Sequence, residues 1–326
     1  MNHFIEDIYL SNFKSIRECE ISNCKRINLF IGRPNVGKSN IIEALSFLTI
    51  PYLKENSSKK LTQLIRFENE TELFYEGNWQ KMSILDTERG GWNLQYSPKE
   101  FLEIEIDFPE GEWVGKVDEK QIVRGLVSKG FKPLVKRYHF KPDVIYKRGH
   151  ARYLIPPFGN NLLSIIETYP ELKRDVTRFF ADYNLEIAFD QSSQTIKILK
   201  KKEDGIFLIP YNSVADTLQR IIFFKAAIAS NQDSVLLFEE PEAHSFPPYM
   251  AHLTQEMIAS KSNQFFIATH SPFILNDLLE NAREELAIFI VDFKDKQTVV
   301  KRLSDKDLHE VYQYGVDLFT NNESYL

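Results

Sequence analysis

The sequence predicts an α/β fold interrupted by an inserted α+β region, and three observations carry that reading. A buried apolar run, Ile27-Asn28-Leu29-Phe30-Ile31, feeds into a Gly/Pro-bearing loop and then into the helical spacing of Ile41, Ile42, Leu45 and Leu48. Regular alternation of helix and strand patterns returns near the end of the chain, over 217–319. Between these two parts, from Pro51 to about Gly205, that alternation is lost.

Taken in order, Ile5–Tyr9 and Glu18–Ile21 read as short strands with polar turns between them, and Ile27–Ile31 as a buried strand. Ser39–Leu48 reads as a helix that Pro51 stops. The middle mixes β-like runs (Leu102–Phe108, Leu185–Phe189, Thr195–Leu199) with amphipathic helices (Leu162–Thr168, Glu171–Ala181). Thr217–Ala229 is expected as a helix, Ser234–Phe238 as a buried strand, Pro248–Ala259 as a helix and Gln264–Ala268 as a second buried strand. Phe273–Glu280 is helical, Leu286–Val291 and Thr298–Leu303 pair as strands, and Asp305–Phe319 closes as a helix. No internal repeat and no sustained heptad pattern occurs, so long coiled-coil arms are not expected. The expected organisation is one composite domain over 1–326, with a core from 1–50 and 206–326 and an inserted α+β region over 51–205.

At 326 residues, with ordinary apolar and charged fractions, the chain is long enough to bury a full core. A net charge of -6 argues against coating nucleic acid by bulk electrostatics, although a local basic patch is compatible with it. Two cysteines, Cys19 and Cys24, with no ligand cluster around them, suit a reducing compartment. The first residues lack the pattern of a signal peptide, and no run reaches the roughly 20 apolar residues of a membrane span. A cytoplasmic protein with no membrane partner is the expectation.

The chemistry begins at Gly32-Arg33-Pro34-Asn35-Val36-Gly37-Lys38-Ser39, which matches G-x-x-x-x-G-K-[ST] after a strand and before a helix. The glycines let successive N–H groups face a polyphosphate, and the helix start adds its positive end. Lys38 would reach the β- and γ-phosphates and Ser39 would ligate Mg²⁺. The expected ATP-binding set is Gly32, Arg33, Pro34, Asn35, Val36, Gly37, Lys38, Ser39 and Asn40. By itself the motif does not separate ATPase, GTPase and kinase.

Val235-Leu236-Leu237-Phe238-Glu239-Glu240 is a buried strand ending in two acids, at the strand end where α/β sheets bind ligands. Glu239 would hold Mg²⁺ and Glu240 would orient or deprotonate the attacking water. Gln264–Ala268 leads to Thr269-His270-Ser271-Pro272, and His270 is the candidate to sense the γ-phosphate or position the water. The catalytic set is therefore Lys38, Glu240 and His270, with Ser39 and Glu239 for the metal. His244 has less support, and Glu242 reads equally as a cap.

Together these residues, with the opening Ile8-Tyr9-Leu10-Ser11-Asn12-Phe13-Lys14-Ser15-Ile16 and with Ile41-Ile42-Glu43-Ala44-Leu45, resemble the SMC- and RecF-like ABC-type ATPases of the P-loop NTPase class. They look closest to stand-alone ATPases related to the overcoming-lysogenization-defect (OLD) family. The resemblance spans roughly 1–50 and 205–280. It implies an ATP-hydrolysing, Mg²⁺-dependent switch whose heads dimerise head to tail, each ATP lying between one head's phosphate loop and the other's signature motif. The corresponding stretch, Tyr211–Arg220, has no glycine. Ser213 or Ala215 stands in the place of the signature serine, and Asp216 or Thr217 reads as a helix N-cap. Gln63 is the candidate for the family's glutamine loop.

OLD-type relatives often carry a Toprim nuclease domain, and the residues after His270 are too few for one, so nuclease or toxin activity is expected from a neighbouring effector protein. Antiphage defence or DNA maintenance is the setting that the resemblance implies. Rival readings are a transporter ATPase subunit, a GTPase (no Asn-Lys-x-Asp motif occurs) and a nucleotide-binding scaffold with little turnover.

One further segment stands out. Lys132, Lys136, Arg137, Lys141, Lys147, Arg148 and Arg152 are interleaved with Phe131, Tyr138, Phe140 and Tyr146. That mixture suits a nucleic-acid backbone with base stacking. It suits equally a solvated face over a small aromatic core, or contact with an acidic partner. Asp305 and Asp307 read as caps of the last helix.

Overall fold

Strand β1 (Ile8–Phe13) turns back at once into β2 (Ile16–Ile21), and β3 (Ile27–Ile31) follows with all five residues buried. The computed structural model describes residues 4–97, 101–127, 133–181, 183–190, 193, 195–203, 205–321 and 325. Contacts divide the chain into two units: 1–137, 233–240 and 262–326 form the first, and 138–232 with 241–261 the second. The stretch 51–205 is thus shared between them.

Helix α1 (Lys38–Ser46) leaves the loop after β3 and tightens into a 3₁₀ run, Phe47–Glu55, with Pro51 inside it. The expected α-helix to Leu48 stops earlier because Pro51 has no N–H for the carbonyl four residues back and its ring crowds that carbonyl. Next come β4 (Ser83–Thr87), β5 (Gly91–Ser97), β6 (Phe101–Phe108), β7 (Gly111–Val117) and β8 (Val123–Val127). Among the described residues they join β1 and β2 in an antiparallel sheet of order β2-β1-β4-β5-β6-β7-β8. Trp92 fixes this sheet onto α1. Its indole nitrogen donates to the Ala44 carbonyl at 2.8 Å, and its ring stacks on Phe47 at 4.5 Å between centroids.

Of these strands the sequence pattern showed only β6 within the insert. The alternation of β7 is hidden because two glycines, Gly115 and Gly125, face each other across β7 and β8. The Trp113 ring covers both, so that a Cβ on Gly125 would lie 2.2 Å from it. One aromatic side chain takes the space beside both glycines.

After β9 (Val135–Tyr138), the second unit carries α2 (Leu162–Thr168), α3 (Pro170–Ala181), the antiparallel strands β10 (Glu186–Asp190), β11 (Thr195–Lys202) and β12 (Gly205–Pro210), and α4 (Asp216–Ala229). Helix α3 buries Leu172, Val176, Phe179 and Phe180 at helical spacing. The chain returns to the first unit for β13 (Val235–Glu239), adds α5 (Pro247–Ala259) to the second, and finishes in the first. That finish comprises β14 (Gln264–Ala268), α6 (Pro272–Asn281), β15 (Leu286–Lys294), β16 (Gln297–Arg302) and α7 (Asp305–Tyr314). Helix α7 ends before the expected Phe319 because Gly315 takes the left-handed conformation at φ 62 and caps it. Ser304 and Asp307 form a reciprocal capping box at its start.

The second sheet of the first unit has the order β16-β15-β3-β14-β13-β9. Strand β14 pairs in parallel with both β13 and β3, and β15 pairs in parallel with β3. Ala268 stands opposite Phe30 on one side and Glu239 on the other, so three strands end flush. Both faces of these strands are covered, as parallel strands require, and Phe30, Leu237, Phe266 and Phe289 have no exposed surface.

Phe30 stacks between Phe266 at 6.3 Å and Phe289 at 5.3 Å. Phe266→Ala should lower stability by about 3–5 kcal/mol, because it leaves a cavity between rigid strands. Urea unfolding monitored by circular dichroism checks this. A loss below about 1 kcal/mol would mean that the sheet face repacks freely.

Candidate functional site

The phosphate loop is shaped by its neighbours as much as by its own glycines. Gly32 has φ 154 and Gly37 φ 104. A Cβ on Gly32 would lie 2.1 Å from the Val291 carbonyl oxygen, and one on Gly37 would lie 2.0 Å from Thr298 Oγ1. Strands β15 and β16 therefore exclude any side chain at either place. Thr298 Oγ1 donates to the Val36 carbonyl at 2.8 Å, which uses its single proton. Ser15 must then be the donor in its 2.6 Å bond with Thr298, and Ser15 Oγ in turn accepts from the Asn40 amide at 2.6 Å. This relay ties the loop and the first turn of α1 to the β1–β2 turn and to β16. Ser15 lies in the opening motif but had no role assigned from sequence, Thr298 lies in no motif, and only the fold brings them together.

Lys38 opens α1 and is buried, its Nζ donating to the carbonyls of Gly32 at 2.8 Å and Arg33 at 2.7 Å. No side chain caps this helix start. The first-turn N–H groups and the Lys38 ammonium thus lie at one helix start, the arrangement a polyphosphate needs.

At the flush strand ends, Glu239 closes β13 and Glu240 follows in a left-handed conformation with φ 42. Such a φ is strained for a non-glycine residue, and the Glu240 N–H holds it by donating to the Ala268 carbonyl at 2.8 Å. The strain turns the Glu240 carboxylate outward, half exposed, with Oε1 3.6 Å from His270 Nε2. His270 follows β14 and precedes Ser271, whose hydroxyl caps α6 by accepting from the Ile274 N–H. Burial depresses the His270 pKa and the nearby Lys38 charge adds to this, against a smaller opposing pull from Glu240. His270 is therefore a neutral imidazole at neutral pH.

Glu239 lies in a cluster of arginines. Arg66 donates through one terminal nitrogen to Glu239 Oε1 at 2.8 Å and through Nε to Glu43 Oε1 at 2.8 Å. Arg137, at the end of β9, donates to Glu239 Oε2 and to the carbonyl of Leu64. Glu43, on α1, has no exposed side-chain surface and also pairs with Lys14. The hard oxygen donors Ser39 and Glu239 suit Mg²⁺, and Glu239 is at present neutralised by guanidinium groups.

This cluster corrects the basic-segment reading. Lys136 and Arg137 are buried in the first unit, where Lys136 donates to Ser234 Oγ at 2.9 Å and Arg137 serves Glu239. All four residues of β9 are buried, so a run of charge in the sequence does not become a charged surface. Lys141, Lys147, Arg148 and Arg152 are exposed and belong to the second unit, with Lys141 over the Phe158 ring at 4.0 Å. Lys132, like Phe131, lies outside the described residues.

The signature-like stretch also belongs to the second unit. Ser213 is exposed at the end of a 3₁₀ turn, and Ala215, not Asp216 or Thr217, is the N-cap of α4. Asp216 is the first helical residue, where a carboxylate favours the positive helix end, and it pairs with Arg220 at 3.5 Å. Thr217 Oγ1 instead donates to the carbonyl of His244, an exposed residue of the same unit. Gln63 lies in a 3₁₀ turn of the first unit, its amide oxygen buried without a hydrogen-bond partner. Lys14, Ser15 and Glu43 stood in the motifs of the resemblance without an assigned role, and Thr298, Arg66 and the role of Arg137 beside Glu239 were missed.

Residues 4–212 match the family model of the AAA ATPase domain. The chain belongs to that family. The chain is 28% identical over 141 residues to an uncharacterized protein of Methanocaldococcus jannaschii, covering 38% of this chain and 63% of that protein. It is 34% identical over 65 residues to the DNA replication and repair protein RecF of Leptospira biflexa, 20% of this chain and 17% of RecF. The matches thus span under two thirds of the first relative and under a fifth of the second. Among solved structures, it is similar to the Smc head bound to the C-winged helix domain of ScpA, with a TM-score of 0.52 and 15% identity over 94% of this chain and 99% of that one. It is also similar to the Pyrococcus furiosus Smc head domain bound to the C-terminal domain of ScpA, with a TM-score of 0.55 and 13% identity over 95% and 99%. At such identities the likeness establishes the fold alone, that of the Smc head domains.

The depressed His270 pKa gives a signed expectation. Near pH 6.5 the unfolded chain binds more protons than the folded one, so this contribution to stability is full above about 6.5 and is lost as pH falls through the folded midpoint. An NMR titration of the imidazole should place the midpoint below the usual 6.5. Lys38→Ala should raise it and Glu240→Gln should lower it further. A wild-type midpoint at or above 6.5 would contradict the burial of the ring beside Lys38.

Proposed function

We propose that this chain is an ATP-hydrolysing switch, and the observation that supports it best is the approach of His270 to Glu240 at 3.6 Å beside Lys38 at the end of one parallel sheet. In this reading 32–40 cradle the polyphosphate, and Lys38 turns from the loop carbonyls to the β- and γ-phosphates. Glu240, half exposed, orients or deprotonates the attacking water, and His270 beside it donates a hydrogen bond to the γ-phosphate or positions that water. Mg²⁺, held by Ser39 and Glu239, would supply charge neutralisation at the phosphates.

In this reading ATP binding closes two heads and hydrolysis opens them. Two copies dimerise head to tail, and Ser213 with the start of α4 of one copy faces the nucleotide of the other. The open, uncapped start of α4, with the exposed Ser213 just before it, supports that role. The state of the dimer passes to an effector protein, a reading encouraged by the Smc heads solved with ScpA domains. The RecF matches favour DNA maintenance, and the OLD-type resemblance favours antiphage defence. Lys141, Lys147, Arg148 and Arg152 form the exposed remainder of the nucleic-acid candidate. Among the described residues no helix is long and apolar enough to cross a membrane, and a cytoplasmic setting is proposed. A scaffold with little turnover is the second reading, favoured by the lack of a glycine in Tyr211–Arg220.

Lys38→Ala should abolish ATP binding in a folded protein, and calorimetric titration with ATP reads this directly. Wild-type affinity in the variant would remove the phosphate-loop assignment. Glu240→Gln should retain ATP and Mg²⁺ while hydrolysis falls by on the order of 100-fold. Single-turnover assays separate the two readings, since a rate within a few-fold of wild type would place the base elsewhere.

A further inference from the structure

Five charged side chains form a continuous chain beneath the site. Lys14 pairs with Glu43, Glu43 with Arg66, Arg66 with Glu239, and Glu239 with Arg137. Three cations thus face two carboxylates, and both carboxylates are shielded from water, Glu43 at 0% and Glu239 at 11% side-chain exposure. A cluster with surplus positive charge cannot accept a divalent cation on Glu239 unless one of its own cations withdraws.

The geometry singles out which one withdraws. Arg137 is 4% exposed and is held by the Leu64 carbonyl, the Ser46 hydroxyl at 3.4 Å and Glu239. Removing it from those partners would strand a buried guanidinium. Lys14 serves Glu43 and the Arg66 carbonyl at 2.6 Å, away from Glu239. Arg66 is 68% exposed and can move its guanidinium into water at little desolvation cost. Its departure leaves Glu43 paired with Lys14 and Glu239 paired with Arg137, so neither carboxylate is orphaned.

We infer that Arg66 is a displaceable counter-cation of Glu239, which occupies the carboxylate in the metal-free site and leaves it when Mg²⁺ is bound, while Arg137 stays as the fixed positioning residue. The inference rests on Glu239 being the metal carboxylate, as proposed above. Its consequence is an interlock. Metal occupancy at β13 is coupled to release of the Arg66 guanidinium from Glu43 and Glu239, while Lys14 keeps its hold on the Arg66 carbonyl.

The test uses the full chain and Mn²⁺ as the probe, titrated by electron paramagnetic resonance at saturating ADP. Arg66→Gln should tighten the Mn²⁺ half-saturation by about fivefold or more, because the competing cation is gone. Arg66→Lys should stay near wild type, since a cation is kept. ADP affinity in EDTA should change less than twofold in both variants. An unchanged or weaker Mn²⁺ half-saturation in Arg66→Gln overturns the interlock, and so does a marked loss of ADP affinity in EDTA, which would make Arg66 a phosphate ligand. Glu239→Gln tests the underlying assignment separately: it should weaken Mn²⁺ binding at least tenfold, with Ser39→Ala as the alternative should Glu239→Gln not fold. Wild-type Mn²⁺ binding in those variants would overturn the metal assignment itself, whatever Arg66→Gln does.

Discussion

The site depends on the side-by-side parallel pairing of β3, β14 and β13. Each of these strands ends in a chemical segment: the phosphate loop, Thr269-His270-Ser271, and Glu239-Glu240. Their ladder hydrogen bonds place Ala268 opposite both Phe30 and Glu239. A slip of one residue would move a strand end by about 3.3 Å and turn its side chains to the other face. Because Phe30, Leu237 and Phe266 are fully buried, such a slip would expose or crowd large apolar groups, and the register is held firmly. Packing of aromatic rings between strands therefore controls the separation of Glu240 and His270.

Upon this frame the charges are arranged by a second constraint, that a buried carboxylate needs a partner. Glu43 faces the inside of the unit from the helix that begins the phosphate loop, and it draws Lys14 from the β1–β2 turn and Arg66 from the loop beyond the 3₁₀ run. Glu239 draws Arg137 from the edge strand. The same β1–β2 turn supplies Ser15 to the hydroxyl relay under the loop. Polar pairing thus joins segments that come from every part of the first unit and makes the loop's shape a property of the whole unit.

The phosphate loop and the strands around it were legible because their information is local. A buried strand, two glycines and a helix start occupy one contiguous stretch, and the acids and the histidine each end a continuous apolar run. The antiparallel sheet was less legible, since the Trp113 ring packs beside glycines at Gly115 and Gly125 and so removes the apolar alternation by which strands are recognised. Helix ends moved where one residue overrode periodicity, Pro51 after α1 and Gly315 after α7. The basic segment was misread at Lys136 and Arg137 for a different reason. Charge along a sequence carries no sign of which side of a strand faces water, and β9 is covered on both sides.

The sequence by itself determined that a G-x-x-x-x-G-K-S loop links a buried strand to a helix, which acids end a strand, and that a histidine follows the next one. These follow from short-range rules of backbone conformation and burial, which act within a few residues. Only the tertiary structure decided that Ser15 and Thr298 brace the loop across 283 positions, and that Arg137 answers Glu239 across 102. Such pairs are chosen by desolvation. Two groups of opposite character must meet once both are withdrawn from water, and which groups are withdrawn is settled only when the sheets have closed over them.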